Sequence, residues 1–182
     1  MTILSRDFYN RNTVEVAHDL LGCKLSRRLN GNIYSGIIVE TEAYTQDDPA
    51  CHAFRGKTKR AITLFKKPGL SYVYLIYGMY YCVNVVTEPE ETAGAVLIRA
   101  LEPLSGLKNT NGPGKLCREL LITKDLNEVD LTAPDSELWI EKGTNIIPES
   151  IITTTRIGIK QAIDYPWRFY INNNPFVSKI IK

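Results

Sequence analysis

The stretch Leu70-Ser-Tyr-Val-Tyr-Leu-Ile-Tyr-Gly-Met-Tyr-Tyr-Cys-Val-Asn-Val-Val-Thr87 decides the fold, and it holds five of the chain's ten tyrosines. Alternation at period two places Tyr72, Tyr74 and Ile76 on one face of a strand and Val73, Leu75 and Tyr77 on the other. Gly78 marks a bend or bulge. A second strand from Tyr80 to Val86 then sets Tyr80, Cys82 and Asn84 against Tyr81, Val83 and Val85. No charge interrupts the chain between Lys67 and Glu88, a length that raises the thought of a membrane-spanning helix. Tyrosines along the middle of the run, with Pro68, Gly69, Gly78 and Asn84, fit a strand pair instead, because membrane tyrosines favour the interfaces. Taken alone, such a cluster is an ordinary sheet core. Its neighbours change that reading.

Upstream, Asn12 followed by Glu15 resembles a capping box and starts a helix through Leu21, with Gly22 as its stop. A strand from Cys23 to Leu29 meets Asn30-Gly31, a strong hairpin signal, and returns from Ile33 to Tyr44. On that returning strand, alternation puts Ile38, Glu40, Glu42 and Tyr44 on one face and Ile33, Ile37, Val39 and Thr41 on the other. An isolated Glu-Thr-Glu is ordinarily a solvated strand end. Here the next segment, 45–56, is polar, carries Asp47-Asp48-Pro49 as a short-helix start and delivers His52. An acid, an aromatic ring and an imidazole can therefore converge.

Arg55, Lys57, Lys59 and Arg60 form a basic loop with the composition of a phosphate contact, although four cations are also what a plain solvated face looks like. Residues 61–66 read as a short helical run. A strand from Ala95 to Leu101 places Leu97 and Arg99 together, and a lone cation in an apolar strand must meet a carboxylate or a ligand. Gly112-Pro-Gly-Lys115 opens a helical pattern through Leu116, Leu120 and Leu121, which aims Lys115 and backbone N–H groups at an anion. It is not a phosphate-binding loop of the Walker type, since Leu116 follows the lysine. Residues 137–141, 151–159 and 168–171 read as further strands.

The 182 residues, 44% of them hydrophobic, suffice for one domain spanning 1–182, and a net charge of +2 selects no partner class. Cys23, Cys51, Cys82 and Cys117 lack a C-x-x-C pair and read as reduced thiols. With only His18 and His52, a metal site is not expected. Arg6 and Asp7 precede any long apolar run, so the N-terminus does not read as a secretory signal and the expected location is intracellular.

Five blocks together, Ile38-Val-Glu-Thr-Glu-Ala-Tyr44, Lys67-Pro-Gly69, Tyr72-Val-Tyr-Leu-Ile-Tyr-Gly-Met-Tyr80, Leu97-Ile-Arg-Ala-Leu-Glu-Pro103 and Gly112-Pro-Gly-Lys-Leu-Cys117, resemble the alkyladenine (3-methyladenine) DNA glycosylase family in order and spacing. The resemblance covers nearly the whole chain. It implies an α+β fold: a single domain with a curved, mainly antiparallel sheet and flanking helices, like the C-terminal domain of formyltransferases. It also implies a monomer that acts on double-stranded DNA containing damaged purines, without metal or organic cofactor, in the cytoplasm or nucleoid of a prokaryote or the nucleus of a eukaryote.

By position the resemblance makes Glu42 the residue that activates water, Tyr44 and Tyr74 the rings enclosing a flipped base, and His52 a third wall. Asn84 becomes a base-selecting residue and Arg99 a site residue on the neighbouring strand, with Ala50 and Leu97 near the pocket. Tyr77 becomes the wedge into the duplex, with Met79 beside it at the DNA interface. Arg55, Lys57, Lys59, Arg60 and Lys115 fall to DNA phosphates, while Glu40 is not required for the chemistry. The chain departs from the family at Lys57-Thr-Lys-Arg-Ala61, where Arg-Thr-Pro-Arg-Asn is more usual. Two other functions compete: a non-catalytic nucleic-acid module in which the tyrosines only stack, and a formyltransferase-like RNA-binding domain. Neither gives the convergence of Glu42, Tyr44 and Tyr74 a role.

Overall fold

The computed structural model describes residues 2–178. Helices α1 (Arg6–Tyr9) and α2 (Thr13–Asp19) precede a hairpin of β1 (Lys24–Leu29) and β2 (Asn32–Thr45). The tyrosine stretch forms β3 (Ser71–Ile76) and β4 (Tyr80–Val86), followed by β5 (Gly94–Pro103) and helix α3 (Pro113–Glu119). Short strands β6 (Leu138–Glu141), β7 (Ile151–Thr154) and β8 (Arg168–Ile171) complete the sheet. The strand order among the described residues is β3-β4-β5-β2-β1-β6, with β8 joined to both β2 and β7. Every pairing is antiparallel. The α+β class expected from the sequence holds, and the uncharged stretch is a hairpin. Among the described residues no helix is long and apolar enough to cross a membrane.

Local chemistry accounts for most of these elements. The Asn12 side chain accepts hydrogen bonds from the Val14 and Glu15 amides, which satisfies two of the free N–H groups at the start of α2. Asn30 and Gly31 take φ of 49° and 78°, the left-handed pair that a two-residue turn requires, and Leu29 pairs directly with Asn32. Helix α2 lays Val16 and Ala17, with Leu20 just beyond it, on Ile38, Ala43, Val96, Ile98 and Leu101. Burying each large apolar side chain of this face contributes roughly 1.5–3 kcal/mol.

The central strand β2 is what bends the sheet. One edge pairs with β1 over residues 32–37 and with β8 over residues 40–42, while the other edge follows β5 over residues 36–45. At the fork the ladder slips twice: Ile38 pairs with Leu101, Glu40 with Ala100 and Thr41 with Ile98. Val39 on β2 and Arg99 on β5 are therefore extra residues in facing bulges. The expectation that Ile38 shares a face with Glu40, Glu42 and Tyr44 is corrected here. Ile38 lies in the helix-side core, whereas Glu40 turns to the concave face and meets Arg99. Val39 and Thr41 part in the same way, Val39 packing with Ala100, Tyr170 and Val177 while Thr41 donates to the Ala17 carbonyl of α2.

Three further local expectations change. The segment after Asp47 forms turns, not a helix, because the Asp48 carboxylate is drawn into the interior by Arg156. Residues Ile62–Phe65 form a single 3-10 turn. The strand expected over 151–159 ends at Thr154, and the following loop folds back over the concave face.

Candidate active site

The concave face of the sheet opens into a cavity of about 810 Å³. Register aligns the side chains: Glu42 pairs with Leu97, Leu97 with Asn84 and Asn84 with Tyr72, so four adjacent strands present them on the same face, and the last three line the cavity. One step to one side of this row Tyr44 stands opposite Ala95, and one step to the other side Tyr74 stands opposite Cys82. Tyr44 and Tyr74 thus rise from strands three interstrand steps apart, about 14 Å along the sheet, and curvature turns both rings into the same space. Ala50 and His52 enter from the turns after β2, and Gly158, Ile159 and Lys160 close the far side.

Glu42 has no exposed surface and lies just behind the cavity lining, to which its partners Tyr44, Arg99 and Ile157 belong. Tyr44 Oη donates to its Oε2 at 2.8 Å, the Ile157 amide donates to its Oε1 at 2.7 Å, and Arg99 Nη1 lies 3.3 Å from Oε2. An ionised carboxylate offers roughly four acceptor positions; two accept hydrogen bonds here, and the Arg99 guanidinium adds an ion pair. Burial pushes the Glu42 carboxyl above its ordinary value, against the opposing pull of Arg99, the Ile157 amide and the Tyr44 hydroxyl. A carboxylate so arranged accepts a proton readily yet is held in one orientation.

Glu40, equally buried, is the hub of a second cluster. It accepts from Arg99 Nε at 3.1 Å, Arg168 Nε at 2.7 Å, and the Ser178 amide and hydroxyl at 2.7 and 3.0 Å. Arg99 therefore bridges the two glutamates. For its guanidinium, burial is outweighed by Glu42 and Glu40, so its pKa is raised and it stays charged. Of the two partners expected for Arg99, a carboxylate or a ligand, the structure shows two carboxylates.

The opposite wall is aromatic. Rings of His52 and Tyr74 meet edge to face at 4.7 Å, Tyr72 and Tyr74 lie 5.4 Å apart, and His52 Nδ1 is 2.9 Å from Tyr72 Oη. Burial and nearby Arg60 push His52 down to about 4, while burial first of all pushes Tyr72 up to about 12. The imidazole is thus neutral and shares a hydrogen bond with the Tyr72 hydroxyl. Asn84 donates to the Tyr72 carbonyl at 3.0 Å, which fixes its amide and frees its oxygen.

Tyr77 is 77% and Met79 67% exposed. Tyr77 is not on a strand face, as alternation predicted: it is the first residue of a turn with φ of 53°, ahead of Gly78 at 68°, and Met79 N bonds back to Ile76 O. A tyrosine held in the left-handed region is uncommon and points to a position with a task. Tyr77 borders the cavity mouth, as Lys115 does, whereas Met79 stands outside it. Of the basic loop, Arg60 lies 5.1 Å over the Tyr74 ring, Lys57 pairs with Glu91, and Arg55 and Lys59 are exposed and away from the lining.

The methylpurine-DNA glycosylase family model matches residues 7–175. The chain belongs to this family. A Carboxydothermus hydrogenoformans protein is 50% identical over 97% of this chain and 99% of its own length. One from Herpetosiphon aurantiacus is 44% identical over 97% and 88%, and one from Ehrlichia ruminantium 50% identical over 93% and 89%. Each of the three bears the name "putative 3-methyladenine DNA glycosylase". This glycosylase's substrate is DNA. Among its described residues no three His, Cys, Asp or Glu side chains converge as metal ligands.

Sequence reasoning passed over several residues that this glycosylase places at the site: Tyr72, Asp48, Arg156, Ile157, Arg168 and Ser178. Arg156 was legible by the argument applied to Arg99, a lone cation after a run of Ile and Thr, but it was absorbed into an expected strand. Ile157 contributes a backbone N–H, which no side-chain motif announces.

Proposed function

We propose that this DNA glycosylase flips an alkylated or deaminated purine from double-stranded DNA and hydrolyses its N-glycosidic bond, leaving an intact abasic site. The observation that carries the reading is Glu42: a buried carboxylate that accepts from the Tyr44 hydroxyl and the Ile157 amide and pairs with Arg99, directly behind the lining of an aromatic cavity. In this reading Glu42 takes the proton of a water that attacks C1′, while the base departs with the bonding electrons. The sugar passes through a transition state with oxocarbenium character, which the carboxylate charge also stabilises. Tyr44 and Tyr74 stack on the extruded base, and Tyr77 at its turn fills the gap left in the duplex.

A cationic alkylpurine suits these walls. Each ring face adds roughly 0.5–2 kcal/mol of cation–π attraction, and His52, held neutral, adds no opposing charge. The names of the relatives support 3-methyladenine among the substrates. For neutral lesions such as hypoxanthine or ethenoadenine, the His52 imidazole and the Asn84 oxygen supply the discrimination. Arg60 and Lys115 take the phosphates nearest the cavity, with Arg55, Lys57 and Lys59 farther along the strand. One copy of the chain carries every group the mechanism uses, and we assign a monomer.

The test is release of 3-methyladenine, 7-methylguanine, hypoxanthine and ethenoadenine from defined duplexes, with borohydride added. Free base, an intact abasic site and no trapped protein–DNA adduct are expected. A lysine-dependent Schiff base would replace the water mechanism by an amine one.

A further inference from the structure

We propose that Arg156 is a positioning residue for base excision: paired with Asp48 and with the Ala43 carbonyl, it sets the loop that holds Glu42 in its working orientation. The inference rests on the reading of Glu42 as the base. Arg156 and Asp48 are fully buried and joined by a two-point ion pair, one bond of which is Nη2 to Oδ1 at 3.0 Å. The same guanidinium donates to the Ala43 carbonyl at 2.9 Å and reaches the Ala162 carbonyl at 3.4 Å. One planar fork therefore ties together β2, the turn after it and the loop over residues 155–162.

What those three ties hold is the site. Ala43 lies between Glu42 and Tyr44, so its carbonyl bond steadies the strand residue on either side. Ile157 follows Arg156, and its amide is the one that donates to Glu42. Arg156 also lies over the Tyr44 ring at 4.6 Å, from outside the cavity, and this backs the hydroxyl that bonds the other carboxylate oxygen. Among the described residues, the hydrogen bonds that anchor loop 155–162 to the sheet and its following turn run through Arg156 or the Ile157 amide. A buried ion pair is a weak source of stability, since removing two charges from water offsets much of their attraction. Its directional geometry is what an apolar pair of equal volume lacks.

The other groups facing Glu42 belong to different elements: Glu40 and Tyr44 on β2, Arg99 on β5, Cys82 on β4, and Arg168, whose backbone pairs with Glu42 from β8. Of these, Tyr44 is backed by Arg156, and the others do not rest on the loop. Loosening the loop removes one hydrogen bond to the ionised carboxylate and the support behind a second, so the effect must appear as a displaced acid limb of the excision profile.

The experiment is single-turnover excision across pH for Arg156→Met, Arg156→Lys, Asp48→Asn and Glu42→Gln, with abasic-site DNA affinity measured in parallel. Arg156→Met is expected to move the acid limb up by about one pH unit. It should slow excision at neutral pH by on the order of tenfold to a hundredfold, with affinity retained. Arg156→Lys, which keeps charge but not the fork, should recover part of the shift. A folded Arg156→Met with the parental acid limb overturns the assignment, however slow the variant is. If Arg156→Met does not fold, Asp48→Asn is read the same way, and an unmoved limb there overturns it as well. Near-parental excision by Glu42→Gln removes the underlying reading instead. Loss in Glu42→Gln with an unmoved limb in the others removes only the role of Arg156.

Discussion

On the helix side of β2 and β5, Ile38, Ala43, Val96, Ile98 and Leu101 are covered by Val16, Ala17 and Leu20. On the concave side, Glu40, Glu42 and Arg99 are buried to the same degree but held by hydrogen bonds and charge. Equal burial thus hides two kinds of energetics. The apolar face draws its stability from area, which is non-directional and tolerates swaps that conserve volume. The charged face gives up solvation and recovers it only through geometry, so losing a single partner leaves a group stranded.

The largest break in that comparison is Glu42→Gln. Base release should fall by roughly 10²–10⁴-fold, with abasic-DNA affinity kept, because an amide preserves shape and cannot take the proton. Stability should not fall with activity. The Glu42 carboxyl is raised in the fold, so protonation favours the folded state; the stabilisation present below the ordinary carboxylate range is lost as pH rises through the higher folded value. The variant should therefore gain melting temperature over the parent at neutral pH and lose that advantage in acid. A parent whose excision rate is flat down to the ordinary glutamate range would contradict the raised value.

Glu40→Gln comes second and separates stability from chemistry. Its carboxylate anchors Arg99, Arg168 and Ser178 together, and breaking a buried pair costs about 3–5 kcal/mol. Urea unfolding should show that loss, while the folded fraction excises faster than Glu42→Gln. Reversed kinetics would exchange the roles of the two glutamates. Tyr77→Ser is smaller: excision from a paired lesion should drop, and the defect should shrink on a mismatched one, where unstacking costs less than the usual few kcal/mol. Tyr74→Ser should show no comparable rescue, because the pocket wall is needed however the base arrives. An equal Tyr77→Ser defect on both substrates would count against the wedge.

Much of this was legible in the chain. Alternation grouped Tyr72 with Tyr74 on one face of β3 and Cys82 with Asn84 on one face of β4, and Asn30-Gly31 located the first hairpin. The reading failed where the ladder is not regular. Alternation assumes an unbroken register, so the facing bulges at Val39 and Arg99, which turn Glu40 into the concave face, could not be counted from Ile38 onward. Tyr77 was assigned to a strand face for the same reason, although its left-handed turn is what exposes it. The Asp48–Arg156 pair was invisible because its members lie 108 residues apart and neither belongs to a motif.

The four cysteines carry a consequence for the conditions under which the proposed repair would operate. All are free and buried, and burial pushes the Cys23 and Cys51 thiols up to about 11 and raises Cys82 and Cys117 as well. The thiolate is the nucleophile, and at neutral pH a thiol of that acidity is ionised in about one molecule in ten thousand, against a few per cent for a free cysteine. Methylating agents that create damaged purines seek the same soft nucleophiles. Cys51 and Cys82 border the cavity, and burial disfavours the thiolate that such reagents attack at both.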